Sequence, residues 1–152
     1  MFAEWKSDMV RQIAALPVKH RPDGSLDVFL VTSRGSGRWI IPKGNPIRGL
    51  SPEDVAAQEA LEEAGLVGRV LPRIIGTFEF QRMRTPSGQT CLIDVYPMHV
   101  HRQVRKFDEK RQRTVLRCDL EMALAIVSSK SLAALIEEYS LEVRSERSAA
   151  GG

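Results

Sequence analysis

Long hydrophobic runs are missing from this sequence of 152 residues. Apolar stretches such as Ile13 to Val18 are far shorter than the roughly 20 residues that a membrane-spanning helix needs. The first residues also lack the charged and apolar segments of a signal peptide. We therefore expect a cytoplasmic protein that does not bind membranes.

Cysteine and aromatic residues are scarce as well. Cys91 and Cys118 are isolated, without a CxxC motif or clustered histidines, so we predict reduced thiols in the core rather than a disulfide or a zinc site. Aromatic residues make up 6% of the chain and do not alternate with basic residues. This composition argues against nucleic acid as a partner, because proteins that bind single strands use stacking side chains.

Length and hydrophobic pattern predict one domain of mixed α and β structure. We expect the domain to cover residues 1–141 and a flexible tail to cover 142–152. Strands are predicted at 13–18, 26–33, 69–80 and 90–100, with a short one beginning at residue 38 and a hairpin turn at 85–88. Helices are predicted at 52–64, 122–126 and 129–139, the second capped by Asp119. Strands before and after a helix indicate a mixed sheet with helices packed against it.

The helix at 52–64 carries an unusual acidic face. At about 100° of rotation per residue, Glu59, Glu62 and Glu63 lie on one side. No lysine or arginine stands three or four positions away to neutralise them. Such a face is either a solvated acidic surface or a place to hold a divalent metal.

The sequence around this helix defines its two ends and the loop that precedes it. Ser51 is a good N-cap, Pro52 suits the first turn, and Gly65 is a typical left-handed stop. A short strand and a loop rich in glycine and proline precede the helix. The loop lacks the Gly-Lys-Ser/Thr ending of a Walker motif, so it is not a P-loop.

These residues resemble the signature of the Nudix hydrolases: Gly, five residues, Glu, seven residues, then Arg-Glu-U-x-Glu-Glu-x-Gly-U, where U is bulky and apolar. Gly44 sets the register, and Leu50 and Gln58 stand where the family has Glu and Arg. In the family those two are thought to pair, so one salt bridge is expected to be lost. The remaining positions match at Glu59, Glu62, Glu63, Gly65 and Leu66, with Ala60 where a bulkier residue is usual.

The chain resembles the family over roughly residues 8–140. Within the family it is similar to the diphosphoinositol polyphosphate phosphohydrolase branch. It implies an α/β/α sandwich with a mixed, partly curled sheet between helices. It also implies a hydrolase that cleaves a phosphoanhydride bond in diadenosine polyphosphates, inositol pyrophosphates or nucleoside triphosphates. The alternative is a Nudix-like domain that binds phosphorylated ligands without hydrolysing them. The oligomeric state, monomer or homodimer, stays open.

Hard carboxylate oxygens suit Mg²⁺ or Mn²⁺. We expect Glu59 and Glu63 to hold the ion with Glu62 nearby, and the resemblance adds the Gly44 carbonyl as a further ligand. Either Glu62 or Glu63 would accept the proton of the attacking water.

Basic residues precede the acidic helix. No acid occurs from residue 34 to residue 48, so this stretch is predicted to bind the phosphates of a substrate through Arg34, Arg38, Lys43 and Arg48. A second basic cluster lies between residues 102 and 113. We interpret that cluster as ordinary solvated surface.

Overall fold

A computed structural model describes residues 9–81 and 90–151. Within these residues eight strands form one sheet: β1 (Met9–His20), β2 (Leu26–Thr32), β3 (Trp39–Ile40), β4 (Lys43–Gly44), β5 (Leu66–Val70), β6 (Gly76–Gln81), β7 (Thr90–Gln103) and β8 (Val115–Asp119). The same residues contain three helices: α1 (Pro52–Ala64), α2 (Leu120–Ile126) and α3 (Lys130–Gly151).

The centre of the sheet is a long parallel pair. β1 runs beside β7 from Met9 opposite Thr90 to Val18 opposite His99. The other strand pairs are antiparallel, and the path β3-β2-β1-β7-β5 leaves the sheet open. The predicted mixed sheet is therefore confirmed.

Helices cover both faces of this sheet. Alternate residues of β1 point to opposite sides, with Leu16 in one core cluster and Ala15 in the other. The cluster around Leu16 includes apolar residues of α2 and α3, whereas the cluster around Ala15 includes those of α1. The predicted α/β/α layering is thus present, with α1 on the face of the sheet opposite α2 and α3.

The boundaries of α1 agree with the prediction. The Ser51 hydroxyl accepts a hydrogen bond from the Asp54 amide at 3.2 Å, and Pro52 occupies the first turn. Gly65 ends the helix at φ 70°, in the left-handed region that glycine enters without strain. Asp119 also caps α2 as expected, accepting a hydrogen bond from the Met122 amide at 2.8 Å.

The single strand predicted at 69–80 is wrong. The structure divides this stretch into β5 and β6, which pair antiparallel with successive parts of β7. Residues 71–75 between them contain Pro72, which cannot donate a ladder hydrogen bond. The pairing of β6 with β7 agrees with the predicted hairpin, while its turn at 85–88 lies outside the described residues.

The last helix is longer than the sequence pattern indicated. It was predicted at 129–139, but α3 continues to Gly151 and buries Val143 against the core. Glutamate, arginine and alanine in this extension are good helix formers. Residues 142–151 are therefore helical where a frayed tail was expected, and the domain boundary at 141 stays a prediction.

Two further observations bear on the sequence analysis. Cys91 is buried, Cys118 is partly buried, and neither forms a disulfide, in agreement with the predicted free thiols. Among the described residues, no helix combines the length and apolar character needed to cross a membrane.

Candidate active site

A cavity of about 840 Å³ opens beside the N-terminal half of β1, β4 and the last turns of α1. Its walls combine the acidic side chains of Glu59, Glu63 and Glu109 with basic ones. The basic residues that line it are Arg34, Arg38, Lys43 and Arg113. The cavity therefore offers oxygen ligands for a cation and cationic groups for phosphates within one space.

Strand β4 brings the glycine loop against the acidic helix. Gly44 pairs with Ile13 of β1, and a Cβ atom at Gly44 would overlap the carboxyl group of Glu59. Lys43 donates its backbone N–H to Glu63 Oε2 at 3.3 Å. A side chain at position 44 would therefore displace the Glu59 carboxyl group, and the loop and both glutamates form one unit.

Glu63 is the most buried charged residue of the cavity, at 1% exposure. Burial and, after it, the neighbouring Glu59 raise its pKa to about 9, while Arg113 opposes the shift. Burial also raises the pKa of Glu59, with the charge of Glu62 adding to the effect. Two adjacent carboxylates in a dry site cannot both ionise cheaply, so we expect the metal-free pair to retain a proton at neutral pH.

The donor set fits a divalent cation. Within residues 9–81 and 90–151 no group of three metal-ligating side chains is brought together. However, Glu63 Oε1 is buried and accepts no hydrogen bond from the described part of the chain. Mg²⁺ is commonly held by one or two carboxylates, with water and substrate phosphates completing its coordination. Glu59 and Glu63, with Gly44 beside them, provide such a partial shell.

Two predicted site residues lie elsewhere. Glu62 does not line the cavity, and its carboxylate accepts a hydrogen bond from Gln58 Nε2 at 3.1 Å. Arg48 is exposed and is also not among the lining residues. The glutamine in place of the family's arginine therefore bonds within the helix, while Leu50 remains 40% exposed.

Arg113 and Glu109 belong to the site although the sequence analysis did not assign them. The Arg113 side chain is only 9% exposed, so its interpretation as solvated surface is wrong. It donates from Nε to Glu109 Oε1 at 2.8 Å and from Nη1 to the Thr32 carbonyl at 3.0 Å. The spacing of four residues between Glu109 and Arg113 was the available signal.

Lys43 and Arg38 lie around one aromatic ring. The Lys43 ammonium is 4.8 Å and the Arg38 guanidinium 4.6 Å from the centre of the Phe80 ring. Lys43 also donates to Gln12 Oε1 at 2.9 Å, and Gln12 donates to Asn45 Oδ1 at 3.1 Å. Cation–π contacts of this kind hold charged heads in place, so the cations are oriented before a ligand arrives.

Comparison with known proteins adds to this geometry. The family model described as the NUDIX domain matches residues 10–134. No curated protein sequence matches the chain.

Solved structures with the same fold have sequences that differ strongly from this one. The Ap4A hydrolase of C. elegans has a TM-score of 0.68 at 16% identity, covering 89% of this chain and 98% of that one. The MutT protein of Methanosarcina mazei Go1 has a TM-score of 0.65 at 20% identity, over 88% and 94%. The NUDIX domain of Shewanella oneidensis NrtR, solved with ADP ribose, has a TM-score of 0.62 at 17% identity, over 91% and 98%.

Proposed function

Because the chain belongs to the Nudix family and is a pyrophosphohydrolase by that membership, we propose that it cleaves a phosphoanhydride bond in a polyphosphorylated small molecule with the help of Mg²⁺ or Mn²⁺. The metal ion, the roles of the residues and the substrate class are proposals. A cytoplasmic location and the oligomeric state stay predictions.

The observation that carries the proposal is the position of Glu63. Its Oε1 atom is buried and accepts no hydrogen bond within the described residues, with the Arg113 guanidinium 3.5 Å away, next to Glu59 and in a cavity that contains four basic side chains. An unsatisfied buried carboxylate oxygen costs folding free energy. A bound divalent cation would remove that cost, and basic groups close by would draw a polyanion to the same place.

The residues of the chain would divide the work as follows. Glu59 and Glu63 would hold the cation, with the Gly44 carbonyl as a further ligand. The bound ion would offset phosphate charge and lower the pKa of water. Glu63 would accept the proton of the attacking water, because it lines the cavity in which the ion and the water would lie. Glu62, the other base considered from sequence, is the weaker candidate because it bonds to Gln58 instead of lining the cavity.

The basic residues would orient the phosphate chain. Lys43, Arg38 and Arg34 line the same cavity as the acidic pair. Positioned cations stabilise the charge that develops on a leaving phosphate. Arg48, which is exposed and outside the cavity, is not included in this assignment.

Diadenosine polyphosphates, inositol pyrophosphates and nucleoside triphosphates are the proposed substrate classes. The similarity to a structure named as an Ap4A hydrolase supports the first class. The basic lining of the cavity supports all of them, because each carries several adjacent phosphates.

A substrate panel tests the proposal. Release of phosphate or nucleotide is measured for each class, and for ADP ribose, with Mg²⁺, with Mn²⁺ and with a chelator. Turnover of one class that the chelator abolishes is the expected result. If ligands bind but none is turned over, the alternative of a binding domain for phosphorylated ligands replaces this assignment.

A further inference from the structure

The segment that carries Arg113 is attached to the end of the acidic helix. The Val104 amide donates to the Gly65 carbonyl at 2.8 Å, and the Glu109 amide donates to the Glu62 carbonyl at 2.9 Å. Gln103 Nε2 donates to the Ala64 carbonyl at 3.1 Å. These bonds satisfy carbonyls that a helix end leaves without partners, so residues 103–109 and the last turn of α1 form one unit.

Packing reinforces this attachment. The Phe107 ring lies against Gly65 so closely that a Cβ atom there would overlap it. Gly65 therefore serves two purposes, the left-handed stop and the space for Phe107. At the other end of the segment, the Thr114 amide donates to Thr32 Oγ1 at 2.9 Å. The chain is thus fixed to regular structure on both sides of Arg113.

Arg113 contacts two acids of the cavity from this fixed position. Its Nε atom bonds to Glu109, and its Nη1 atom lies 3.5 Å from Glu63 Oε1. The other carboxylate oxygen of Glu63, Oε2, accepts a hydrogen bond from the Lys43 amide. The carboxylate of Glu63 therefore has a backbone donor at one oxygen and a guanidinium at ion-pair distance from the other.

The contact of Arg113 with Glu63 and Glu109 brings positive charge to the acidic side of the cavity. Glu59, Glu63 and Glu109 would carry three negative charges when ionised. Arg113 lies within ion-pair distance of both Glu63 and Glu109, and Arg34 Nε lies 3.6 Å from Glu109 Oε1. Arg113 is the one of these two arginines that contacts Glu63, so its removal would leave the repulsion from Glu59 and Glu109 without that opposing attraction.

We propose that Arg113 is a positioning residue, which holds Glu63 in the orientation in which the acidic pair binds a divalent cation. This inference rests on the proposed function. It acts through Glu63 and Glu109 rather than on the substrate. Groups that orient metal ligands in this way typically change metal affinity or activity by about 10- to 100-fold when removed.

Three variants test this role. Arg113→Gln removes the charge, and Arg113→Lys keeps it. Arg111→Gln is the matched control, since Arg111 is an exposed arginine of the same segment. For each we would measure Mn²⁺ binding without substrate by electron paramagnetic resonance, kcat and KM on the best substrate of the panel, and the thermal midpoint without metal.

The expected pattern separates positioning from simple support of the fold. Arg113→Gln should weaken Mn²⁺ binding and lower kcat by about 10- to 100-fold, with KM little changed, whereas Arg113→Lys should recover most of both. Arg111→Gln should match the unmodified protein. Equal loss in Arg113→Lys and Arg113→Gln, or normal Mn²⁺ binding in Arg113→Gln, would overturn the inference. Absence of turnover in the unmodified protein would instead count against the proposed function.

Discussion

Two buried carboxylates in this molecule have opposite electrostatic surroundings. Asp27 on β2 is 4% exposed, and Glu63 on α1 is 1% exposed. Arg21 lies 2.5 Å and Arg117 2.7 Å from Asp27, one at each carboxylate oxygen. Glu63 has Glu59 beside it and shares the more distant Arg113 with Glu109.

Their pKa values move in opposite directions for this reason. Burial opposes the ionised form of both groups, but the two arginines outweigh it at Asp27 and lower the pKa of that carboxyl. At Glu63 burial and the neighbouring carboxyl outweigh Arg113 and raise the pKa to about 9. The comparison teaches that burial alone does not mark a functional acid. An acid that is left without enough positive charge either keeps a proton or binds a cation from outside, and such perturbed groups concentrate in active sites.

The largest expected effect is on catalysis. Glu63→Gln should lower kcat by about 10²- to 10⁴-fold, because the proton acceptor is lost. Asp27→Asn, which makes the same chemical change at the other buried acid, should leave kcat within a few-fold. Steady-state kinetics with Mg²⁺ measures both variants. Equal losses in the two variants would mean that the sites do not differ as described.

The second effect concerns stability, and here the Asp27 variant should be affected more than the Glu63 variant. Asp27→Asn should destabilise the protein by about 1–3 kcal/mol, since charge-assisted hydrogen bonds to two arginines are weakened. The partly exposed arginines can turn to water, which limits the loss. Glu63→Gln should leave the metal-free protein equally stable or more stable. Urea unfolding in chelator measures both, and a larger loss in Glu63→Gln would contradict this prediction.

The third effect is the pH dependence of stability without metal. The raised pKa of Glu63 means that the folded protein binds a proton that the unfolded chain has released, so stability falls as pH rises toward 9. The lowered pKa of Asp27 has the opposite sign, and its contribution is lost as pH falls through the acidic range. Unfolding midpoints are measured from pH 3 to 9. In Glu63→Gln the fall in stability toward pH 9 should disappear, and in Asp27→Asn part of the loss of stability at acidic pH should disappear. Unchanged slopes would refute the two shifts.

The smallest expected effect comes from restoring the family's usual pair. Leu50→Glu with Gln58→Arg should stabilise the protein by about 0.2–1 kcal/mol, the typical range of an exposed ion pair. Leu50 is 40% exposed and can be replaced without disturbing the core. A double-mutant cycle of thermal midpoints measures the coupling, and zero coupling would refute the interpretation that a salt bridge has been lost.

What could be predicted from sequence was local. The limits of α1 follow from Ser51 and Gly65, and the closeness of Glu59 to Glu63 follows from one helical turn. The break between β5 and β6 was missed because apolar residues lie on both sides of Pro72, and the proline was not interpreted as an interruption. Arg113 was missed because its contact with Glu63 depends on the pairing of β8 with β2 and on the attachment of residues 103–109 to α1. Contacts between distant segments are set by tertiary packing, which periodicity does not encode.

Proton release on metal binding tests the central claim most directly. Titration calorimetry of Mn²⁺ at pH 7 in two buffers of different ionisation enthalpy measures the number of protons released. If the acidic pair holds a proton that the cation displaces, the unmodified protein and Asp27→Asn should release about one proton, and Glu63→Gln should bind Mn²⁺ poorly. Binding without proton release, and of equal strength in Glu63→Gln, would contradict the assignment of Glu63 to the metal site.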